Sequence, residues 1–200
     1  MVMSNRNLMP SQIKLKRKTK ETEIELCLDI KGSQKIDINT GIGFLDHMLE
    51  QLASHARWDL FINVQGDLKV DDHHTVEDIA ICLGNALQQS WRANGEFRRY
   101  GQRLLPMDEA LILCAVDISG RGIYVGQLEF SRETIGSMST EMFEHFFNTL
   151  ARNAAITLHI KPVYFSNNHH LVEGCFKAVA YALREALSLR NGSNTTKGIL

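Results

Sequence analysis

The sequence has few features that would mark a secreted, membrane-bound or disulfide-stabilised protein. Its four cysteines, Cys27, Cys82, Cys114 and Cys175, are far apart and fall in apolar runs, so we expect reduced thiols in a core rather than disulfides or a zinc ribbon. No apolar run is long enough to span a membrane. The first ten residues show neither a hydrophobic signal core nor an Arg-rich amphipathic pattern. We therefore expect a cytoplasmic protein.

The chain also lacks an excess of charge of either sign. Among its 200 residues, 22 basic and 23 acidic side chains give a formal net charge of −1. Such a balance gives no global field that would favour nucleic acid or a membrane surface as a partner, so any anionic ligand must be held by a few local cations. Apolar residues make up 44% of the chain, which is ample for a core. Eight histidines are the one compositional oddity.

Two short segments are near copies of each other and hold four of those histidines. Residues 71–77 read Asp-Asp-His-His-Thr-Val-Glu, and residues 167–173 read Asn-Asn-His-His-Leu-Val-Glu, an offset of 96 from His73 to His169. Asp and Asn are favoured helix N-caps, because their side-chain oxygens accept from the free N–H groups of the first turn. Each His-His pair therefore falls at a helix start, where the helix dipole disfavours imidazolium and keeps the rings neutral.

Hydrophobic periodicity predicts a mixed order of strands and helices in the first half. The predicted strands cover 11–19, 23–30 and 58–64, and 35–38 allows a further short strand. One helix is predicted over 44–55, and a second helix runs from the first His-His pair to about residue 91.

The second half repeats this order. Strands are predicted over 110–118, 122–130 and 156–165, and helices over 140–155 and 169–189. Aligning His47 with His145 gives an offset of 98, only two residues from the offset of the His-His pairs. We predict an α+β fold of two internally duplicated β-β-α-β-α halves, with helices packed on one face of each sheet.

The halves are predicted to meet within the polar, glycine-containing segment 92–101. We place the first half at residues 1–95, the second at 96–190, and a C-terminal tail at 191–200.

The repeated histidines and glutamates suit two metal sites. In the first half, His74 and Glu77 share a helix face, while His73 is rotated about 100° from His74. The two rings of a pair therefore cannot easily face one ion, and the economical arrangement exchanges one histidine between the halves. This arrangement gives two sets of ligands, His47, His74, Glu77 and His169 for one ion, and His145, His170, Glu173 and His73 for the other.

Three imidazoles and a carboxylate without sulfur suit manganese, iron, nickel, cobalt or zinc, and open coordination positions are typical of a catalytic site. Two other functions use similar ligands. In a metal-storage or metal-assembled shell protein, the histidines would only hold subunits together. A dinuclear metallohydrolase would normally need more bridging carboxylates than this pattern offers.

Three motifs resemble the imidazoleglycerol-phosphate dehydratase family of histidine biosynthesis. They are residues 41–49 (Gly-Ile-Gly-Phe-Leu-Asp-His-Met-Leu), 71–78 and 168–173, and the resemblance covers nearly the whole chain. It implies a hydro-lyase that converts D-erythro-imidazole glycerol phosphate to imidazole acetol phosphate through a metal-stabilised imidazolate. It also implies two Mn²⁺ ions per active site, with other divalent transition metals as alternatives. A homo-oligomer of 24 subunits with active sites between chains is implied as well, so the exchange of histidines could be intermolecular.

The resemblance also implies individual roles. Glu21 would act near the substrate diol, as a proton donor or an orienting group, and Glu173 is the candidate for proton abstraction, while His74 and His170 join them as catalytic residues. Asp108 could act behind them as an acid, or could simply be a turn residue. The resemblance assigns substrate or phosphate contacts to Glu21, His47, His55, His73, Glu77, Arg99, Arg121, His169, Lys177, Thr196 and Lys197.

Overall fold

The computed structural model describes residues 12–94 and 97–189, and within these ranges the chain forms an α+β fold with four helices and two four-stranded sheets. This confirms the predicted fold class. The helices are α1 (Gly43–Ala56), α2 (His73–Asn94), α3 (Glu141–Ala154) and α4 (Asn168–Ala186).

The first sheet contains the four strands of the first half. They are β1 (Gln12–Lys18), β2 (Thr22–Asp29), β3 (Ile36–Asn39) and β4 (Asp59–Gly66). Their order across the sheet is β1-β2-β4-β3, with β3 parallel to β4 and the other pairs antiparallel. Helix α1 connects β3 to β4, and α2 follows β4.

The second sheet has the same topology. Its strands are β5 (Tyr100–Met107), β6 (Ala110–Asp117), β7 (Ile123–Gly126) and β10 (Thr157–Tyr164), and between β7 and α3 lies a ribbon of β8 (Thr134–Ile135) and β9 (Met138–Ser139). The order β5-β6-β10-β7 repeats that of the first sheet, again with one parallel pair, β7 and β10. The proposed division at residue 95 lies outside the described residues.

The structure differs from the predicted elements in the second half. Strand β5 was not predicted, because Gly101 and Pro106 interrupt its strand pattern. A proline is tolerated there since β5 is an edge strand that pairs only with β6 in the described sheet. Strand β7 ends at Gly126, well before residue 130, and the ribbon β8-β9 was not predicted either.

The core lies where the helices of one half meet those of the other. Helix α2 covers β1 and β2, α4 covers β5 and β6, and across the halves α1 packs on α4 and α2 on α3. The Phe176 ring of α4 lies 5.3 Å from the Phe146 ring and 4.7 Å from the Phe147 ring of α3. All three rings are fully buried. Both helices belong to the second half, so this aromatic packing fixes α3 against α4 within that half.

None of the described helices combines the length and the apolar character that crossing a membrane requires.

The cysteines are free thiols, as predicted. Cys82, Cys114 and Cys175 are buried, and burial raises the pKa of Cys82 to about 11. Cys27 differs from the expectation, because it is only half-buried.

We expect Gly101→Ala to destabilise the fold. A Cβ atom at Gly101 would lie 2.0 Å from the carbonyl oxygen of Ala182 and 2.7 Å from the amide nitrogen of Ala186, so α4 would have to move away from β5. Overpacking of this kind costs about 1–3 kcal/mol. Urea unfolding at fixed protein concentration measures the loss.

Gly43→Ala is the matched control, because a Cβ atom there meets nothing within 4 Å. Unfolding of both variants at the same urea concentration would contradict the close approach of α4 to β5.

Candidate metal centre

One group of possible metal ligands lies where α1 packs on α4. His47 comes from α1, and His169 and Glu173 from α4, with one ligand atom of each within 4.8 Å of the others. Glu173 Oε2 is 3.0 Å from His169 Nε2 and 3.5 Å from His47 Nε2. Both imidazoles are half-buried, whereas Glu173 is only 7% exposed. We call these three residues the α1–α4 cluster.

A second group lies where α2 packs on α3. His73 and Glu77 come from α2 and His145 from α3, and their ligand atoms are again within 4.8 Å of one another. Glu77 Oε1 is 3.1 Å from His145 Nε2, and the rings of His73 and His145 are 4.8 Å apart. We call these residues the α2–α3 cluster. Each cluster thus combines one helix from each half of the chain.

The exchange of histidines between the halves is found, but the carboxylates are grouped differently from our expectation. His47 lies with His169, and His73 with His145, as expected. Glu173 joins the first pair and Glu77 the second, whereas we had assigned them the other way round. The reason is helical geometry: each glutamate is four residues after the first histidine of its pair and shares its face.

The second histidine of each pair lies outside its own chain's clusters. His74 Nδ1 is 3.0 Å from Asp67 Oδ2, and His170 Nδ1 is 2.7 Å from Glu109 Oε2. These hydrogen-bonded carboxylates raise the pKa of both histidines. These carboxylates therefore act on the pKa in the direction opposite to that expected of the helix dipole, which disfavours imidazolium.

Two acidic residues in equivalent hairpin turns approach the other ring nitrogen. Glu21, between β1 and β2, places Oε1 3.8 Å from His74 Nε2. Asp108, between β5 and β6, places Oδ2 3.7 Å from His170 Nε2. Both acidic side chains are exposed. The structure thus puts the predicted Glu21 beside a histidine, and gives Asp108 the corresponding place in the second half.

The predicted N-caps are present at both His-His pairs. Asn167 Oδ1 accepts from the backbone N–H groups of His169 and His170, at 2.8 and 3.4 Å. Asp71 Oδ1 accepts from the N–H of His73 at 2.9 Å. These bonds satisfy donors that the first turn of a helix leaves free.

The residues that follow the caps are buried and tie each helix start to the segment between β7 and α3. Asp72 is 8% exposed and accepts from the backbone N–H of Ser139 at 2.6 Å and from its hydroxyl at 3.0 Å. Asn168 is 6% exposed, donates to Ser131 Oγ at 2.8 Å and accepts from the Ser131 N–H at 3.3 Å. Both helix starts are therefore anchored to the second half.

The predicted phosphate ligands Arg99 and Arg121 lie together on one carboxylate. Arg99 Nε donates to Asp117 Oδ1 at 2.7 Å, and Arg121 Nη2 is 4.0 Å from Asp117 Oδ2. The hydrogen bond to Asp117 raises the pKa of Arg99 further. Ser119 Oγ accepts from the Arg121 N–H at 3.2 Å and shapes the predicted turn.

This arginine pair is distant from the clusters. The N–H of Arg99 donates to the carbonyl of Ala186, at the C-terminal end of α4, at 2.9 Å. Glu173 is 13 residues earlier on the same helix, which corresponds to about 20 Å. The arginines and the α1–α4 cluster of one chain therefore lie at opposite ends of α4.

The other predicted contacts are placed differently. Lys177 Nζ is 2.6 Å from Glu173 Oε1, so this cation lies beside the α1–α4 cluster. Burial opposes ionisation of Glu173, but hydrogen bonds from Lys177 and His169 lower its pKa. His55 packs at 5.3 Å from the Tyr181 ring, and burial lowers its pKa. Thr196 and Lys197 lie outside the described residues.

Three carboxylates have tertiary roles that the sequence does not show: Asp67 and Asp117 hold predicted site residues, and Asp72 anchors the start of α2. Asp67 follows a glycine at the end of β4 and looks like a turn residue, and Asp72 looks like half of a cap pair. The sequence does not show that Asp117 faces two arginines. Asp67 is 7 residues from His74, Asp117 is 18 residues from Arg99, and Asp72 is 67 residues from Ser139, and a spacing pattern does not reveal such pairs.

Comparison with known proteins gives a consistent result. Residues 40–183 match a family model described as imidazoleglycerol-phosphate dehydratase. The chain is 47% identical over 195 residues to the imidazoleglycerol-phosphate dehydratase of Acetivibrio thermocellus, covering 96% of this chain and 100% of the relative. It is 49% identical over 188 residues to that of Lachnoclostridium phytofermentans, covering 92% and 96%.

Two solved structures are similar in fold. The dehydratase of Staphylococcus aureus has a TM-score of 0.82 and 36% identity, covering 90% of this chain and 99% of the other. The enzyme of Pyrococcus furiosus, in complex with (S)-C348, has a TM-score of 0.81 and 35% identity, covering 93% and 100%.

We expect Asp72→Ala to lower the free energy of unfolding by about 1–3 kcal/mol, because two donors on Ser139 would lose a buried charged acceptor. Thermal unfolding in excess chelator measures this without a contribution from bound metal. Ser139→Ala is the control, since it loses the hydrogen bond from the hydroxyl to Asp72 and keeps the one from the backbone N–H. An Asp72→Ala protein as stable as Ser139→Ala would contradict the anchoring role.

Proposed function

Because this chain belongs to the imidazoleglycerol-phosphate dehydratase family, and is therefore a hydro-lyase of histidine biosynthesis, we propose that it is manganese-dependent. Its reaction would remove water from D-erythro-imidazole glycerol phosphate to give imidazole acetol phosphate. The observation that carries the metal proposal is the pair of matched clusters, each with two imidazoles and one carboxylate within 4.8 Å.

The residues of both clusters fit a divalent transition metal. Each described cluster offers two nitrogen ligands and one oxygen ligand and no sulfur. This donor set suits manganese as well as iron, cobalt, nickel or zinc. We propose manganese among these metals because the family resemblance implies it, with two ions per active site. Three ligands leave coordination positions open for a further protein ligand and for substrate.

His74 and His170 would supply the further protein ligands in a neighbouring copy of the chain. Both lie outside the clusters of their own chain, and each has its Nδ1 engaged by a carboxylate, which leaves Nε2 to bind a metal ion. We propose that His74 completes the α1–α4 cluster of a neighbour, and His170 the α2–α3 cluster. These are the histidine sets expected from the sequence, now shared between two chains of a homo-oligomer, for which the resemblance implies 24 subunits.

The position of the arginines supports a shared active site. Arg99 is about 20 Å along α4 from Glu173. A single small substrate cannot reach both ends of that helix. The phosphate would therefore be bound by Arg99 and Arg121 of one chain while its imidazole lies at the clusters of others. Lys177, together with Thr196 and Lys197, is proposed to complete the contacts with substrate.

Bound divalent ions would act as Lewis acids that withdraw electron density from the imidazole of the substrate. Glu21, on an exposed turn beside His74, would orient the substrate diol or donate a proton to the leaving hydroxyl. Glu173 is less suited to abstract a proton, because Lys177 and His169 hold its carboxylate and its pKa is lowered. The end of the site that binds the imidazole would be lined by His47, His55, His73, Glu77 and His169.

We expect the metal-free protein to be inactive and Mn²⁺ to restore activity. The purified protein would be stripped with a chelator, dialysed, and assayed with imidazole glycerol phosphate by detection of the ketone product. Full turnover without metal would refute the metal dependence. Metal binding without turnover would favour a storage or shell protein, and release of inorganic phosphate would favour a hydrolase.

We expect His74→Ala to lower kcat/KM by roughly a hundredfold or more and to reduce the manganese content, because a ligand is lost from each α1–α4 cluster. The matched control is His159→Ala, which removes an exposed histidine on β10 and should leave both quantities close to wild type. Unchanged metal content in His74→Ala would contradict its role as a ligand.

Co-expression tests whether the ligands come from two chains. His74→Ala and His47→Ala are each expected to be inactive, but in a mixed oligomer some α1–α4 clusters would receive His74 from the other variant and regain both ligands. Restored activity supports a shared site. Failure to restore activity, in oligomers shown to contain both variants, would place both ligands in one chain.

A further inference from the structure

We propose that Asp67 and Glu109 are positioning residues that fix the tautomer of His74 and His170 and direct each Nε2 outward, toward a metal ion held by a neighbouring copy. This inference rests on the proposed function, since it concerns the ligands that one chain gives to another. Neither acid was assigned a role by the sequence motifs.

The first pair is formed at the start of α2. Both oxygens of Asp67 lie close to His74 Nδ1, at 3.0 and 3.3 Å. Asp67 directly follows β4, and its N–H donates to the carbonyl of Glu21 at 3.1 Å while its carbonyl accepts from the N–H of Val70 at 2.7 Å. The backbone of Asp67 is thus held on both sides, and its carboxylate has a defined position.

The second pair is formed at the start of α4. Glu109 Oε2 is 2.7 Å from His170 Nδ1, and Glu109 Oε1 accepts from the N–H of the N-cap residue Asn167 at 2.9 Å. One carboxylate therefore holds both the helix start and the ring.

The chemistry of the imidazole explains what these contacts do. A carboxylate only accepts hydrogen bonds, so Nδ1 of each ring must carry the proton. In the neutral ring the lone pair then lies on Nε2, which is the atom free to bind a metal. The carboxylate also makes that nitrogen more basic and restricts rotation of the ring, and this is how outer-shell acids support metal ligands in general.

The carboxylate that contacts Nδ1 comes from a different part of the fold in each half. Asp67 lies in the connection between β4 and α2, whereas Glu109 lies in the hairpin between β5 and β6. The hairpin residue of the first half, Glu21, instead approaches Nε2 of His74. Repetition of the fold alone therefore does not account for a carboxylate on Nδ1 in both halves. A requirement for the same tautomer at both rings accounts for this recurrence.

The test uses Asp67→Asn and Glu109→Gln, with Asp37→Asn as a matched control. Asp37 is exposed on β3, so its substitution removes the same charge from the surface of the first half. The affinity for Mn²⁺ would be measured on the intact oligomer by competition with a chelator of known affinity. We expect Asp67→Asn and Glu109→Gln to bind Mn²⁺ about 10–100-fold more weakly than wild type. Asp37→Asn should match wild type.

A spectroscopic readout separates ring orientation from a purely structural role. Solid-state ¹⁵N spectra of metal-free protein with labelled histidine report which ring nitrogen is protonated, and His74→Ala and His170→Ala identify the two signals. We expect an Nδ1–H ring at both positions in wild type and a mixture of tautomers in the corresponding acid variant, because an amide can donate to Nδ1 as well as accept from it. Unchanged tautomers, or unchanged Mn²⁺ affinity, in both acid variants would overturn the proposal even if their unfolding temperatures fell.

The alanine variants distinguish this failure from failure of the proposed function. If His74→Ala and His170→Ala lose Mn²⁺ while the acid variants keep it, the positioning role is wrong and the shared metal site stands. If the two alanine variants keep both Mn²⁺ and turnover, the histidines are not ligands, so the shared metal site and this inference both fall while the manganese-dependent reaction stands.

Discussion

The contact between helices of opposite halves determines nearly everything about the site. Neither half could build a cluster alone, because each cluster takes one imidazole from a first-half helix and one from a second-half helix. The buried rings of Phe146, Phe147 and Phe176 pack α3 against α4 within the second half, and Asp72 ties the start of α2 in the first half to the segment before α3. The ligands are brought together by apolar packing that extends well beyond them.

Much of this arrangement could be predicted from the sequence. The period of the apolar residues indicated the helices, the two His-His pairs indicated helix starts, and the matched offsets indicated that the histidines of one half meet those of the other. The grouping of Glu77 and Glu173 was not predicted, because each glutamate is three residues after one histidine of its pair and four after the other, and both spacings fall on one helix face. Strand β5 was hidden by Gly101 and Pro106, since an edge strand packed against a helix tolerates residues that a central strand would exclude.

The acidic residues around the site could not be predicted from the sequence. They explain how a chain with a net charge near zero can bind ionic groups. Asp117 holds two arginines together, and Asp67 and Glu109 each hold a histidine. Each acid stabilises the charge or the orientation of a group that faces outward. In sequence they look like ordinary turn or strand-end residues, because the partner is brought to them only by the tertiary fold. The electrostatic interactions of this protein therefore come from local pairs of charged side chains and not from an overall field.

The separation of Arg99 from Glu173 along α4 has a consequence for how activity depends on concentration. With the proposed sharing of ligands, a protomer that leaves the assembly keeps its folded core but carries only fragments of several catalytic centres. Dilution would then inactivate the enzyme by dissociation, without unfolding. The number of active centres would rise more steeply than in proportion to the concentration of subunits in the cell.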